Sequence, residues 1–266
     1  MWNGRVTEIW TLVTMSPESF KGGGIWNVVV NINGGLKAIG YGLLVLFFVT
    51  GVMKTAGSFT EIKRPEQALK LFLRFALAKA AISHCMDLML AMFRIAQGAI
   101  ATVMNSSGLG TTAAATLPDT VRAAVESVNF WESIPLWLVT LLGSLFVWAL
   151  SIVMILTVYG RFFKIYIATA LAPIPLAAFA GEPTANIGSS FLKSYAGFCL
   201  QGCVIVLACV IFSSFASEPT VFGSAEGKSA VNIVWLYIGE LLFNQLILVG
   251  AIKASDRLIH ELMGLG

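Results

Sequence analysis

The sequence predicts an all-α, polytopic integral membrane protein, a helical bundle of five to six spans with amphipathic interfacial helices. Three observations predict it. Of 266 residues, 57% are hydrophobic and only 12% are charged, about half the charged share of an ordinary globular domain. Mean hydropathy is +0.83. Apolar runs long enough to cross a hydrocarbon core of about 30 Å recur along the chain, separated by short polar stretches. In lipid each spanning segment must satisfy its own backbone polar groups, which favours helices. A net charge of +3 is too small to bind nucleic acid by bulk charge.

Residues 1–34 form an N-terminal amphipathic segment. Val6, Ile9, Trp10 and Val13 recur at helical spacing with Arg5 and Glu8 between them, the pattern of a short helix lying in a membrane interface. Ser16-Pro17-Glu18 has the chemistry of a second helix start, with Ser as N-cap and Pro in the first turn. Gly22-Gly23-Gly24 breaks it. Met1–Arg5 is no basic region leading directly into a short apolar core, so no cleavable signal is expected.

Residues 35–252 form the membrane domain. The first span, 36–53, is expected to act as an uncleaved anchor. Lys54–Arg74 then carries five basic residues. Pro65 opens a helix that meets no other Pro and only Gly98 before Met104. About forty helical residues measure about 60 Å, twice the hydrocarbon thickness. The basic part is therefore expected to project past the membrane or lie along it, leaving 76–104 as the second span. Ser106–Thr112 reads as a loop and Pro118–Val128 as a short amphipathic helix. Phe130, Trp131 and Trp137 fit an aromatic belt before the third span, 134–159.

Arg161, Phe162, Phe163, Lys164 and Tyr166 follow as a basic, aromatic anchor at the membrane interface. Residues 165–180 are apolar but hold Pro173 and Pro175. Each proline removes a backbone donor and turns its predecessor away from helix, so this element is expected to be broken or re-entrant. Spans at 191–216 and 232–252 and an amphipathic tail, 253–266, complete the chain.

Lys and Arg placement orients the spans. With the basic stretch 54–74 in the cytoplasm, the N-terminus lies outside the cytoplasmic membrane. If 165–180 crosses, the loops hold 8 basic residues inside and 6 outside; if it does not, 10 lie inside and 4 outside. The second division, with five crossings, is preferred.

Few motifs carry chemistry. Gly223 and Gly227 before Lys228-Ser229 enclose three residues where a phosphate-binding loop needs four. No other such loop occurs, and no enzymatic activity is expected. His84 and His260 form no metal motif, and no cofactor, metal or catalytic residue is expected. Cys85, Cys199, Cys203 and Cys209 lie in apolar runs without a CxxC and read as packing residues. No internal repeat is visible.

The charges within the second span stand out. On a continuous helix Lys79, Ser83, Asp87, Arg94, Gln97 and Asn105 fall within a stripe about 80° wide. Glu240 and Asn244 share a face in the last span, where Glu240 has the charge to neutralise Lys79 or Arg94. Charges in a membrane span usually face protein or water. Two readings stay open: a structural polar seam between packed helices, or a water-accessible path or oligomer lumen. Ala76 and Ala80, Ala168 and Ala172, and Cys199 and Cys203 recur at close-packing spacing.

The stretch Gly160-Arg161-Phe162-Phe163-Lys164-Ile165-Tyr166-Ile167-Ala168-Thr169-Ala170-Leu171-Ala172-Pro173-Ile174-Pro175-Leu176-Ala177-Ala178-Phe179 resembles the central segment of the TrbL family. These are polytopic membrane components of type IV secretion and conjugation machines, the VirB-type apparatus. In that family a basic, aromatic junction leads into an apolar helix with a Leu-Ala-Pro-Ile-like element, then a polar turn and another span. Here Gly181–Asn186 corresponds to the turn and Ser190–Gln201 opens the span. The motif resemblance covers 160–202 and the layout 30–255, similar to forms in mobile elements of Gram-positive bacteria.

The resemblance implies a membrane channel or scaffold subunit of a conjugative system, without catalysis of its own, that supports transfer of a DNA–protein substrate. Its implied partners are further copies of itself, other membrane subunits and ATPases of the apparatus, and transiently single-stranded DNA or a relaxase. Two other functions stay open: a secondary transporter or small-solute channel using the stripe as an internal path, and a membrane anchor of another complex.

Overall fold

The computed structural model describes residues 2–56, 65–107, 119–215 and 229–264. Among them every regular element is helical. In chain order these are α1 (Trp2–Thr14), α2 (Gly24–Ala56), α3 (Pro65–Ser83), α4 (Cys85–Ser107), α5 (Asp119–Glu126), α6 (Phe130–Leu171), α7 (Pro173–Ala177), α8 (Ala185–Phe215) and α9 (Ala230–Leu262). Among the described residues five stretches are long and apolar enough to cross a membrane: Phe20–Lys54, Cys85–Asn105, Ser133–Leu171, Ala185–Phe215 and Val231–Leu262. The chain is an all-α, multi-pass helical membrane protein. The glycine-and-lysine stretch 223–228, much of the basic stretch 54–74 and the loop after Ser107 lie outside the described residues.

The chain divides into two compact units. One comprises 1–14, 100–159 and 203–255. In α1 Ile9 and Val13 are buried, at 1% and 0% exposure, and Trp10 is half-buried. Elsewhere in this unit Val121 of α5, Leu136 of α6 and Val234 of α9 form a small core. Gly143 lets α6 approach α9: a Cβ there would lie 2.7 Å from a methyl of Ile238.

The other unit comprises 15–99, 160–202 and 256–266. A stacked pair of Phe20 and Phe162 rings, 4.2 Å between centroids, and a hydrogen bond from Tyr166 Oη to the Pro17 carbonyl (2.9 Å) hold its entry turn. Lys21, Gly22 and Gly23 all have positive φ there, and a Cβ on Gly23 would meet the Glu18 carbonyl at 2.9 Å. Glycine is what lets this turn close before α2.

Besides α2, which starts at Gly24 inside the expected N-terminal segment, three further boundaries differ from the sequence reading. The second long helix is jointed at His84. Ser83 Oγ donates back to the Lys79 carbonyl (2.9 Å), a contact that bends helices. Lys37 Nζ donates to the Ser83 carbonyl from α2 (2.9 Å), placing a cation at the C-terminal end of α3. Backbone bonds from His84 to Ala80 and from Leu88 to His84, both 3.0 Å, make the joint a kink and not a loop. Second, α6 runs unbroken for 42 residues through Arg161 and Lys164, because neither residue breaks helical backbone and Arg161 and Phe162 turn inward. Third, α9 continues to Leu262 and absorbs most of the expected tail.

The proline element is broken. α6 ends at Leu171, Ala172 forms the joint, α7 follows from Pro173 to Ala177, and Ala178–Ala180 finishes as a 3-10 turn. α2 packs on it through Gly40, where a Cβ would lie 2.8 Å from the Pro173 carbonyl oxygen. Two ion pairs fix how the chain returns. Arg74 meets Glu182 at 3.2 Å and Lys164 meets Asp256 at 2.6 Å. If 165–180 crossed the bilayer, the members of each pair would lie on opposite sides. Both pairs fit the expected arrangement of five crossings.

Candidate functional site

The stripe divides between two helices and two kinds of surroundings. Lys79 is exposed on α3, and Ser83 is half-buried at its end, where Tyr41 Oη lies 2.9 Å from Ser83 Oγ. On α4 Asp87 and Arg94 face outward, Asn105 likewise, and Gln97 is half-buried. Asp87 is paired with its neighbour, its Oδ2 lying 3.4 Å from His84 Nδ1. Glu240 and Asn244 are half-buried on α9 and belong to the other compact unit. Among the described residues neither Arg94 nor Glu240 forms an ion pair.

The anchor residues separate by side. Arg161, Phe162 and Tyr166 are interior, at 1%, 0% and 4% exposure, whereas Phe163 faces outward at 54%. The Arg161 guanidinium sits 5.8 Å from the Phe93 centroid and 5.5 Å from that of Phe162. None of its three nitrogens has a hydrogen-bond acceptor among the described residues. The aromatic faces are its electrostatic support, a weaker substitute for an anion. Lys164 is half-buried over the Phe198 ring and holds Asp256.

Behind Pro173 lies a buried polar node that the sequence reading missed. A helical carbonyl normally receives the N–H four residues on, and Pro173 has none to give to Thr169. Asn33 Nδ2 of α2 donates to that carbonyl at 2.7 Å, beside a longer bond from the Ala172 N–H at 3.4 Å. Cys85 Sγ of α4 donates to Asn33 Oδ1 at 3.0 Å. Thr169 Oγ1 donates to Tyr195 Oη of α8 at 3.2 Å, and Tyr195 donates on to the Met89 carbonyl at 3.2 Å. Four helices therefore meet at one satisfied network, with Asn33, Cys85 and Thr169 at 0% exposure. The signal for it was present: a proline four residues after Thr169 and an amide inside the apolar run of α2.

Chemically the node is a clamp and the α4 stripe is a polar surface. Among the described residues no three His, Cys, Asp or Glu side chains come together as a metal site. A family model described as TrbL/VirB6 plasmid conjugal transfer like protein matches residues 2–173. It overlaps the motif quoted above from Gly160 to Pro173, so most of the match lies in the N-terminal spans. No curated protein and no solved structure matches the chain.

Proposed function

The chain belongs to the TrbL/VirB6 family of plasmid conjugal transfer-like proteins, and from that premise we propose that it is a channel or scaffold subunit of a conjugative type IV secretion system. It sits in the cytoplasmic membrane with its N-terminus outside, assembles with copies of itself and with other membrane subunits, and relies on separate ATPases for energy. The observation that carries this is the family match across residues 2–173 combined with five membrane-length helices. The clamp at Pro173 ties four helices of one compact unit together, as suits a structural subunit.

A solute transporter would need its intramembrane charges to line an interior path. Asp87 and Arg94 are exposed and not enclosed within their compact unit, as suits a surface that meets other proteins. Deleting the gene is expected to abolish DNA transfer while leaving relaxase nicking and ATPase activity intact. The purified protein is expected to form an oligomer in mild detergent. Unimpaired transfer in the deletion strain, together with a strictly monomeric species by native mass spectrometry, would overturn the reading and promote the transporter.

A further inference from the structure

The exposed faces of the spans are of two kinds. Along α6 the outward residues are bulky and apolar, among them Leu138, Leu145, Phe146 and Leu156 at 54–63% exposure. Hydrocarbon suits such a surface. Along α4 the outward residues are Ala91, Arg94, Ile95, Gly98, Ala101, Thr102 and Asn105, an arc about 120° wide on a helix. Only Ile95 there is large and apolar. Small residues let another helix approach closely, and a Cβ built on Gly98 meets nothing within 4 Å.

The arc also carries a charge that lipid penalises. Arg94 is the only charged residue of 88–107 and sits near the middle of the span Cys85–Asn105. Its natural complement is on α9. Glu240 lies about midway between Lys228 and Lys253, the nearest charges along the chain, and is half-buried with Asn244 one turn on. Each is a lone charge within an apolar run, of opposite sign, and among the described residues neither has an ion-pair partner. Ionised groups at membrane depth normally pair.

We infer that Arg94 of one copy pairs with Glu240 of a neighbouring copy, the α4 face of each subunit docking on the α9 face of the next. Copies related by rotation about the membrane normal keep their depth, so two groups near the centres of their apolar runs meet without displacement. A guanidinium takes a carboxylate through two parallel N–H donors, and Asn244 adds an acceptor for a third. The two faces are different patches, so the contact is heterologous, and a rotation about the membrane normal that divides a full turn closes it into a ring. This inference rests on the self-assembling subunit proposed above and names the contact that assembles it.

Charge reversal separates contact between copies from contact within one. Arg94→Glu alone and Glu240→Arg alone each place like charges opposite each other. Each is expected to lower the oligomeric fraction in detergent by about ten-fold or more. Co-expressing the two variants under different tags restores opposite charges at every mixed contact, so oligomers containing both tags are expected to return. A pair within one chain would be rescued only by Arg94→Glu/Glu240→Arg in the same copy, and that outcome overturns the inference. An oligomer that survives Arg94→Glu unchanged overturns it too, while leaving the channel-subunit reading standing. A monomeric parent protein fails both. A second measurement covers variants that do not accumulate. In a cysteine-free background with both charges intact, oxidation is expected to join Gly98→Cys in one tagged copy to Leu236→Cys in another, since five crossings make α4 and α9 antiparallel and put these positions at one depth. No product between the tags would overturn the inference.

Discussion

Asn33 Nδ2 donates at 2.7 Å to the Thr169 carbonyl, the carbonyl that Pro173 leaves without its helical donor. A residue of one span thereby repairs a break in another, 136 positions away in sequence. Without Asn33 that buried acceptor keeps only the longer bond from the Ala172 N–H, 3.4 Å, a loss of up to about 1–3 kcal/mol. Asn33→Leu is therefore expected to lower the detergent unfolding temperature clearly. In a Pro173→Ala background the backbone N–H is restored and the same substitution should cost much less. Equal losses in both backgrounds, read by thermal unfolding, would show that the amide does not serve the proline break.

Close approach of α2 to the broken element makes Gly40 a second test. Its missing Cβ would lie 2.8 Å from the Pro173 carbonyl oxygen and 3.1 Å from Pro173 Cβ. Backbone on that side cannot yield like a side-chain tip, so Gly40→Ala is expected to destabilise by about 1–3 kcal/mol. Gly42, two residues on and on the opposite face of the same helix, has nothing within 4 Å of its built Cβ. Gly42→Ala should be neutral or slightly stabilising through helix propensity. Similar losses for the two would remove the packing argument.

The helical membrane class was legible because hydropathy and run length report directly on the solvent. The boundary at Ala172 falls where Pro173 has no N–H to give the ladder, although Pro135 and Pro175 lie within helices. The joint at His84 was not legible. It depends on Ser83 bonding back to Lys79 and on Lys37 reaching across from another helix, and neither proline nor glycine marks it. Arg161 misled for a similar reason. A basic residue among aromatics reads as an interface anchor, and only packing reveals that Phe93, distant in sequence, supplies a ring that holds it inside. The stripe was legible as periodicity, but which residues face outward depends on what α4 packs against.

Arg161 offers a third test. A buried cation without an acceptor costs stability, so replacing it by an apolar side chain of similar reach should relieve that cost. Arg161→Met is expected to leave the unfolding temperature unchanged or raise it. The ring contact predicts coupling: Phe93→Leu should be more damaging with Arg161 present than in the Arg161→Met background, by about 0.5–2 kcal/mol. A large loss of stability from Arg161→Met would show that the guanidinium holds an acceptor in the membrane.

The last test concerns sidedness, which two ion pairs make unusually specific. Arg74 lies at the end of the basic stretch, and its partner Glu182 follows the broken element. Lys164 precedes that element, and its partner Asp256 lies near the C-terminus. The positive-inside bias puts 54–74 in the cytoplasm, and the pairs then carry Glu182, Lys164 and Asp256 to the same side. Single cysteines in a cysteine-free background, probed on intact cells with an impermeant thiol reagent, read this directly. Labelling is expected at Thr116→Cys and withheld at Glu61→Cys, Asn186→Cys and Leu262→Cys until the membrane is opened. Labelling at Asn186→Cys and Leu262→Cys with Glu61→Cys still protected would mean that 165–180 crosses the bilayer, and both ion pairs would be untenable. Labelling at Glu61→Cys but not at Thr116→Cys would invert the orientation while leaving the five crossings intact.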